Sequence, residues 1–161
     1  MNESDLSRHF SDLRDVAKRL NEQSDSITKL IEQFQETLRE LNLGLEAWIP
    51  LQSEESVFTP PFGPKQPISV TIETSLGYAR GDDGWGLYVK RIAYRSNAAP
   101  GLLSLASKGE AVKVNKWIKL LDSSRSVRIA GLDAFPKLLD GLKTSAESAV
   151  QTIENAKKFR D

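Results

Sequence analysis

Apolar residues recur at alternating spacings of four and three through the first quarter of the chain: Leu6, Phe10, Leu13, Ala17, Leu20, Ser24, Ile27, Ile31, Phe34, Leu38 and Leu41. Only Ser24 in this series is polar. A 3.5-residue repeat sustained over this length keeps one seam of a helix turned toward a partner helix. The chain is therefore expected to open on an assembling helix, capped by Ser4 or Ser7 and stopped after Leu41 by Asn42 and Gly44. At ~1.5 Å per residue it is on the order of 55 Å long, too long to lie across a domain of 161 residues. Leu6, Phe10, Leu13, Leu20, Ile27, Ile31, Phe34 and Leu38 form its expected seam. Val16 and Leu30 widen the stripe, which calls for more than one partner helix or for a sheet packed on one end.

After Gly44 the period falls from seven to two. Leu45, Ala47, Ile49 and Leu51 alternate with Glu46, Trp48 and Pro50, the pattern of a half-buried strand. Gln52 to Pro67 carries Pro60, Pro61, Pro64 and Pro67, which cannot donate to a ladder and read as a connection. Ile68, Val70 and Ile72 mark a second strand. Leu76–Arg80, Gly81-Asp82-Asp83-Gly84 and Trp85–Tyr94 read as a hairpin, with turn chemistry between runs of aromatic and β-branched residues. Beyond Ser96, Asn97–Gly101 reads as a loop and Leu102–Ser107 as a helical turn. Ala111–Leu121 reads as a short strand or helix around Trp117.

A second ladder closes the chain: Leu132, Phe135, Leu139, Leu142, Ala146, Ala149, Ile153 and Ala156. Pro136 breaks a helix interior but is tolerated in a first turn. The expectation is thus a short helix over 123–130, a bend at Gly131 and a long helix over 134–159. The fold class is α+β: long N- and C-terminal helices in an antiparallel coiled-coil-like pair, flanking a small antiparallel sheet of three or four strands. All of this fits one domain, with a long helix over 1–43, the sheet over 44–95, a connecting segment over 96–122 and the C-terminal helices over 123–161. The small residues of the second ladder would admit Ile27, Phe34 or Phe10 of the first. The first ladder is the longer, which leaves Leu6, Phe10 and Leu13 for a second chain to cover. Long helix, small antiparallel sheet, long helix resembles the arrangement of prefoldin-type chaperones. The resemblance implies helix tips that grip unfolded chains and strands that assemble a ring, and it rests on element order and no residue motif.

Charge bounds the function classes. Lys plus Arg equal Asp plus Glu at 22 each, so no bulk field draws the molecule to nucleic acid or an anionic membrane. The sign is uneven, with nine acids and six bases over 1–42 against seven acids and eleven bases over 107–161. There is no cysteine, hence no disulfide or thiolate site. The N-terminus MNESDLSRHF has no apolar leader, and no stretch nears the ~18 apolar residues of a membrane span. A cytoplasmic protein is the expectation.

No constellation reads as catalytic, and no cofactor or metal is expected. His9 is the only histidine and falls near the fraying start of a helix, so any Ser-His-Asp triad or His-based metal site would have to use it. Asp82 and Asp83 lack the alternating ligands of a calcium loop and are good turn residues. Glu54 and Glu55 with Glu46 or Glu73 have no fixed separation to make an acid/base pair. Gly101, Gly131 and Gly141 form no phosphate cradle. The basic group Lys90, Arg91, Arg95, Lys108, Lys113, Lys116, Lys119, Arg125 and Arg128, interleaved with Tyr88, Tyr94 and Trp117, is the material of a single-strand binder. Strand alternation sends Lys90 and Arg91 to opposite faces, however.

The expected function is a non-enzymatic, homo-oligomeric coiled-coil scaffold that binds another protein. Trp48, Tyr88, Lys90, Lys116 and Lys119 are the candidate binding surface, and a nucleic-acid-associated protein using residues 90–128 is the alternative. A third reading is an enzyme with an acidic cleft between sheet and C-terminal helix, which a deep pocket holding at least two polar residues of perturbed pKa would mark.

Overall fold

The computed structural model describes residues 3–59, 68–95 and 111–158. Two helices and an antiparallel sheet make up an α+β fold. Helix α1 spans Glu3–Leu41 and ends in Asn42 and Gly44, both at positive φ (46° and 63°), the left-handed geometry that halts a helix. Strands β1 (Ala47–Phe58), β2 (Ile68–Gly81) and β3 (Gly84–Arg95) form a meander. The fourth strand position, on the far edge of β3, is filled by two short pieces, β4 (Ala111–Val114) and β5 (Ile118–Lys119). A 3₁₀ turn at Leu120–Asp122 leads into helix α2, Arg125–Lys158.

The hairpin forms where expected: Gly81 pairs with Gly84 around Asp82-Asp83, and Gly84 alone of the four takes a positive φ, 94°. The strands run further than their apolar alternation. β1 continues through Gln52–Phe58, in the stretch expected to be a connection, because it pairs residue by residue with Ile68–Thr74. The second strand and the first arm of the hairpin are one strand, β2. The expected loop at Asn97–Gly101, the helical turn at Leu102–Ser107 and the prolines from Pro60 to Pro67 lie outside the described residues.

Alternation splits the sheet into two faces. Ile49, Leu76, Tyr78, Leu87 and Val89 turn toward the helices and join Ile31, Leu38, Leu120, Phe135, Leu138 and Leu142 in the core. Trp85 stacks on Tyr78 at 5.4 Å on this face. The β4/β5 edge of β3 is unpaired beyond Tyr88, where a strand would leave amide groups open. Here α1 supplies the partners: Gln35 Oε1 accepts the Leu87 N–H at 3.0 Å, and Arg39 Nε donates to the Trp85 carbonyl at 2.8 Å.

Helix α2 departs from its expected form. It runs as one helix through Gly131 and Pro136, with no separate helix over 123–130. Gly131 is there for space, since a Cβ would stand 3.1 Å from the buried Leu120 side chain. Pro136 is exposed, and its lost hydrogen bond, about 3 kcal/mol, is offset by the buried stripe Gly131, Phe135, Leu138 and Leu142. Leu138 lies outside the expected ladder, whereas the ladder residues Leu139 and Ile153 are 43% and 56% exposed.

The two ladders do not zip together. Arg125 donates to Asn21 at 2.9 Å, Arg128 to Thr28 at 2.8 Å, and the rings of Phe135 and Phe34 lie 4.8 Å apart. Numbers on both helices rise together, the order of a parallel crossing and the reverse of the antiparallel pair expected. The physical reason is the sheet: α1 caps the β3 edge and α2 packs on β1 and β2, so each helix spends its apolar face on strands.

Candidate functional site

The expected seam is thereby divided. Ile31 and Leu38 are buried at 0% and 3%, Ile27 packs against the core, and Phe34 touches Phe135. Ser24, the polar member, is buried, and its carbonyl accepts the Thr28 hydroxyl. Leu6, Phe10, Leu13 and Leu20 belong to a stretch, residues 5–23, that is exposed throughout. With Val16 they stand 38–62% exposed, on a helix that reaches past the start of α2.

The other expected surface lies on the sheet face turned away from the helices. Trp48 of β1, Gly77 of β2 and Tyr88 of β3 form one cross-strand row. Gly77 is the seat of the Trp48 indole: a Cβ there would fall 2.3 Å from ring carbons. Gly81 does the same for Tyr88, at 2.5 Å, and the Tyr88 hydroxyl donates to the Gly84 carbonyl at 3.0 Å. Two glycines thus let two large rings lie flat on the strands. Trp117, from the segment between β4 and β5, closes over them, 4.7 Å from Trp48 in an edge contact and 6.1 Å from Tyr88. Lys90, two residues beyond Tyr88 on the same face, holds its ammonium 4.0 Å from the Trp48 ring centre, a cation–π contact worth about 0.5–1 kcal/mol.

Lys116 and Lys119 flank Trp117 and point to the hairpin turn, where Lys116 Nζ is 3.3 Å from Asp82 and Lys119 Nζ is 2.8 Å from Asp83. Between turn and segment lies an open cleft of about 690 Å³ lined by Asp82, Asp83, Tyr88, Trp117, Lys119 and Asp122. The hydrogen bond from Lys119, and then its charge, hold the Asp83 carboxyl below the usual carboxylate range, and the same contact holds the Lys119 ammonium above the usual lysine range. A depressed acid stabilises above its unfolded pKa and loses that contribution as pH falls through its folded one, while a raised base loses it as pH rises. The clasp is therefore expected to be intact at neutral pH and to open at both extremes. Asp83→Asn should remove the acid-side change in Trp117 environment, and a fluorescence titration that is unaltered in this variant would reject the clasp.

All five residues of the expected binding surface thus gather at one side of the sheet, with Trp117 joining them. Its role is hidden in the sequence because nothing in the spacing of a two-piece edge strand fixes which way the intervening residue folds. The basic group as a whole does not converge: Arg91 lies on the helix face against Glu54 at 2.6 Å, and Arg125 and Arg128 reach α1. Nor do the acids: Glu46 accepts the Arg80 N–H at 3.3 Å, Glu54 holds Arg91, and Glu55 is on the opposite face of β1. His9 is on the free stretch of α1. Among the described residues no three His, Asp or Glu side chains stand together as metal ligands, and no helix is long and apolar enough to cross a membrane.

No protein family, curated protein or solved structure compared with this chain matches it, so the surfaces are read from their geometry alone.

Proposed function

We propose that the chain is a non-enzymatic assembly protein that self-associates through the free ladder of α1 and binds a protein partner on its aromatic sheet face. The observation carrying this reading is the apolar row Leu6, Phe10, Leu13, Val16 and Leu20. Five large side chains in helical register with no cover within the described residues are a seam awaiting a helix. Among the flanking positions Ser7, His9, Arg14, Asn21 and Gln23, only Arg14 carries a fixed charge, so little repulsion opposes pairing. Covering two such rows gains roughly 10 kcal/mol gross, similar to the ~4–15 kcal/mol loss of freedom on association. The association is thus reversible and concentration-dependent. On the sheet face the half-buried Trp48 and Trp117 present their rings, with the buried Tyr88 packed beside Trp117 as their floor, and Lys90, Lys116 and Lys119 supply a polar rim, the anatomy of a protein contact. A cytoplasmic location accompanies this reading.

Sedimentation over a range of protein concentration tests the seam. Wild type is expected above the mass of a single chain, and Phe10→Asp with Leu13→Asp at the mass of one chain, with the melting curve that wild type gives when diluted to single chains. A wild type that is monomeric at every concentration, or a double variant that still associates, would end the proposal.

A further inference from the structure

Helices α1 and α2 cross with their numbers rising together, and each outruns the other at one end. Arg125, the first residue of α2, reaches Asn21 of α1 at 2.9 Å, so the part of α1 before Asn21 has no length of α2 beside it. At the other end α1 stops at Leu41 while α2 continues to Lys158. It passes Ala47 at the start of β1, whose Cβ would lie 3.8 Å from one added to Gly141, and from Val150 to Lys158 every residue of α2 is exposed. The fold therefore ends in two free helical segments, that of α1 at one end and that of α2 at the other. Both carry an apolar row. The row of α2 continues from the buried Leu142 through Ala146, Ala149, Ile153 and Ala156 at heptad spacing, with Val150 beside it. Val150 and Ile153 are 55% and 56% exposed, and a shallow hollow of about 350 Å³ lies over Ala146 and Val150, bordered by Glu147, Gln151 and Glu154.

The two rows fit each other in the parallel sense in which the helices of one chain already cross. On α1, Phe10, Leu13, Ala17 and Leu20 are spaced by three, four and three residues, and on α2 the spacing of Ala146, Ala149, Ile153 and Ala156 is the same. Set side by side, the layers are Phe10 on Ala146, Leu13 on Ala149, Ala17 on Ile153 and Leu20 on Ala156. Each layer holds one small and one large side chain, which lets facing rows interdigitate at the density of a protein interior, and Phe10 enters the hollow over Ala146. The positions flanking this seam bring no like charges together: Arg14 faces Ser145, Asn21 faces Thr152 and Lys157 faces Val16. Two α1 rows in the same parallel register would stack Phe10 on Phe10 and Ala17 on Ala17, crowding one layer and leaving another short of side-chain volume. Pairing α1 with α1 in either sense also leaves the α2 row open, whereas pairing α1 with α2 covers both rows.

We propose that the free segment of α1 is covered by the free segment of α2 of a second copy of this chain, so that the chains join head to tail. The inference rests on the self-association reading and names the partner of its seam. Such a joint is heterologous: every copy added leaves one row of each kind open at the two ends, and assembly continues past two chains, into a filament or, where the rotation between copies closes, a ring. The four layers extend over ~15 Å of helix, which makes a joint smaller than the ~1,200 Å² of a stable interface, and the joints therefore form and part with protein concentration.

Sedimentation of the full chain, of two double variants and of their mixture tests the joint. Phe10→Asp with Leu13→Asp blocks the α1 row and keeps the α2 row, and Val150→Asp with Ile153→Asp does the reverse. All four positions are more than half exposed, so both variants are expected to fold, which far-ultraviolet circular dichroism checks. Each variant alone is expected at the mass of one chain at concentrations where wild type exceeds the mass of two. An equal mixture is expected at the mass of two chains and no more, because one intact α1 row meets one intact α2 row and both outer ends are blocked. A Val150/Ile153 variant that associates as wild type does would overturn the proposal and leave α1 self-association standing, with another α1 as its cover. A mixture that stays at the mass of one chain would overturn it as well, and a wild type that is monomeric at every concentration would end both readings.

Discussion

Ile31→Asp is expected to abolish cooperative folding at room temperature, whereas Leu13→Asp leaves the melting curve of the dilute single chain within experimental scatter. Both positions belong to one unbroken sequence ladder, but Ile31 is fully buried and Leu13 is 61% exposed. A carboxylate at Ile31 must ionise without a partner among Leu76, Leu87, Leu138 and their neighbours, or stay protonated and lose its water. Either route costs well over ~4 kcal/mol, most of the ~5–15 kcal/mol that holds a domain of this kind together. Urea titration with far-ultraviolet circular dichroism reads the difference. Equal effects at the two sites would mean that the free half of α1 is also packed in the folded chain.

Gly77→Ala is the second large effect, at about 1–3 kcal/mol. The lost space is taken from the Trp48 ring, which cannot tilt away without leaving Trp117 and the Lys90 ammonium. Destabilisation and a red shift in tryptophan emission should therefore appear together. Adding Trp48→Ala to Gly77→Ala removes the collision, so the double variant is expected to be less destabilised than the sum of the singles. Strict additivity would show that glycine is needed at 77 for another reason. Gly44→Ala is a useful contrast, because nothing lies within 4 Å of its added Cβ and its cost comes only from the positive φ, ~1–2 kcal/mol.

Local chemistry made much of this legible. The stop after Leu41, the Asp82-Asp83 turn and the shared face of Tyr88 and Lys90 each follow from a rule acting over a few residues, whereas Trp48 joins them only through the register of β1 and β3 on β2. What could not be read were decisions taken across the chain. A heptad says that a face is apolar and does not say whether a helix or a sheet will cover it, and so the expected helical pair gave way to two helices packed on strands. Gly131 and Pro136 argue for a break in isolation, yet Leu120 fills the space over one and the other faces solvent. The polar half of β1 has too little apolar alternation to announce a strand and owes its form to β2 beside it. A β-bulge at Leu51, which the pairing skips between Pro50–Ser75 and Gln52–Thr74, leaves no mark in the spacing of apolar residues.

That residue also sets how the chain tolerates a change of length. Because Leu51 has no partner across the ladder, removing it leaves the pairs from Ala47–Tyr78 to Pro50–Ser75 and from Gln52–Thr74 onward unchanged. The strand becomes regular at the expense of one side chain at the border of the core. Removal of any residue from Gln52 to Val57 instead slides the remainder of β1 by one place and turns its outward side chains inward. The bulge is thus the position in β1 where a codon can be lost and the sheet still close in the same register.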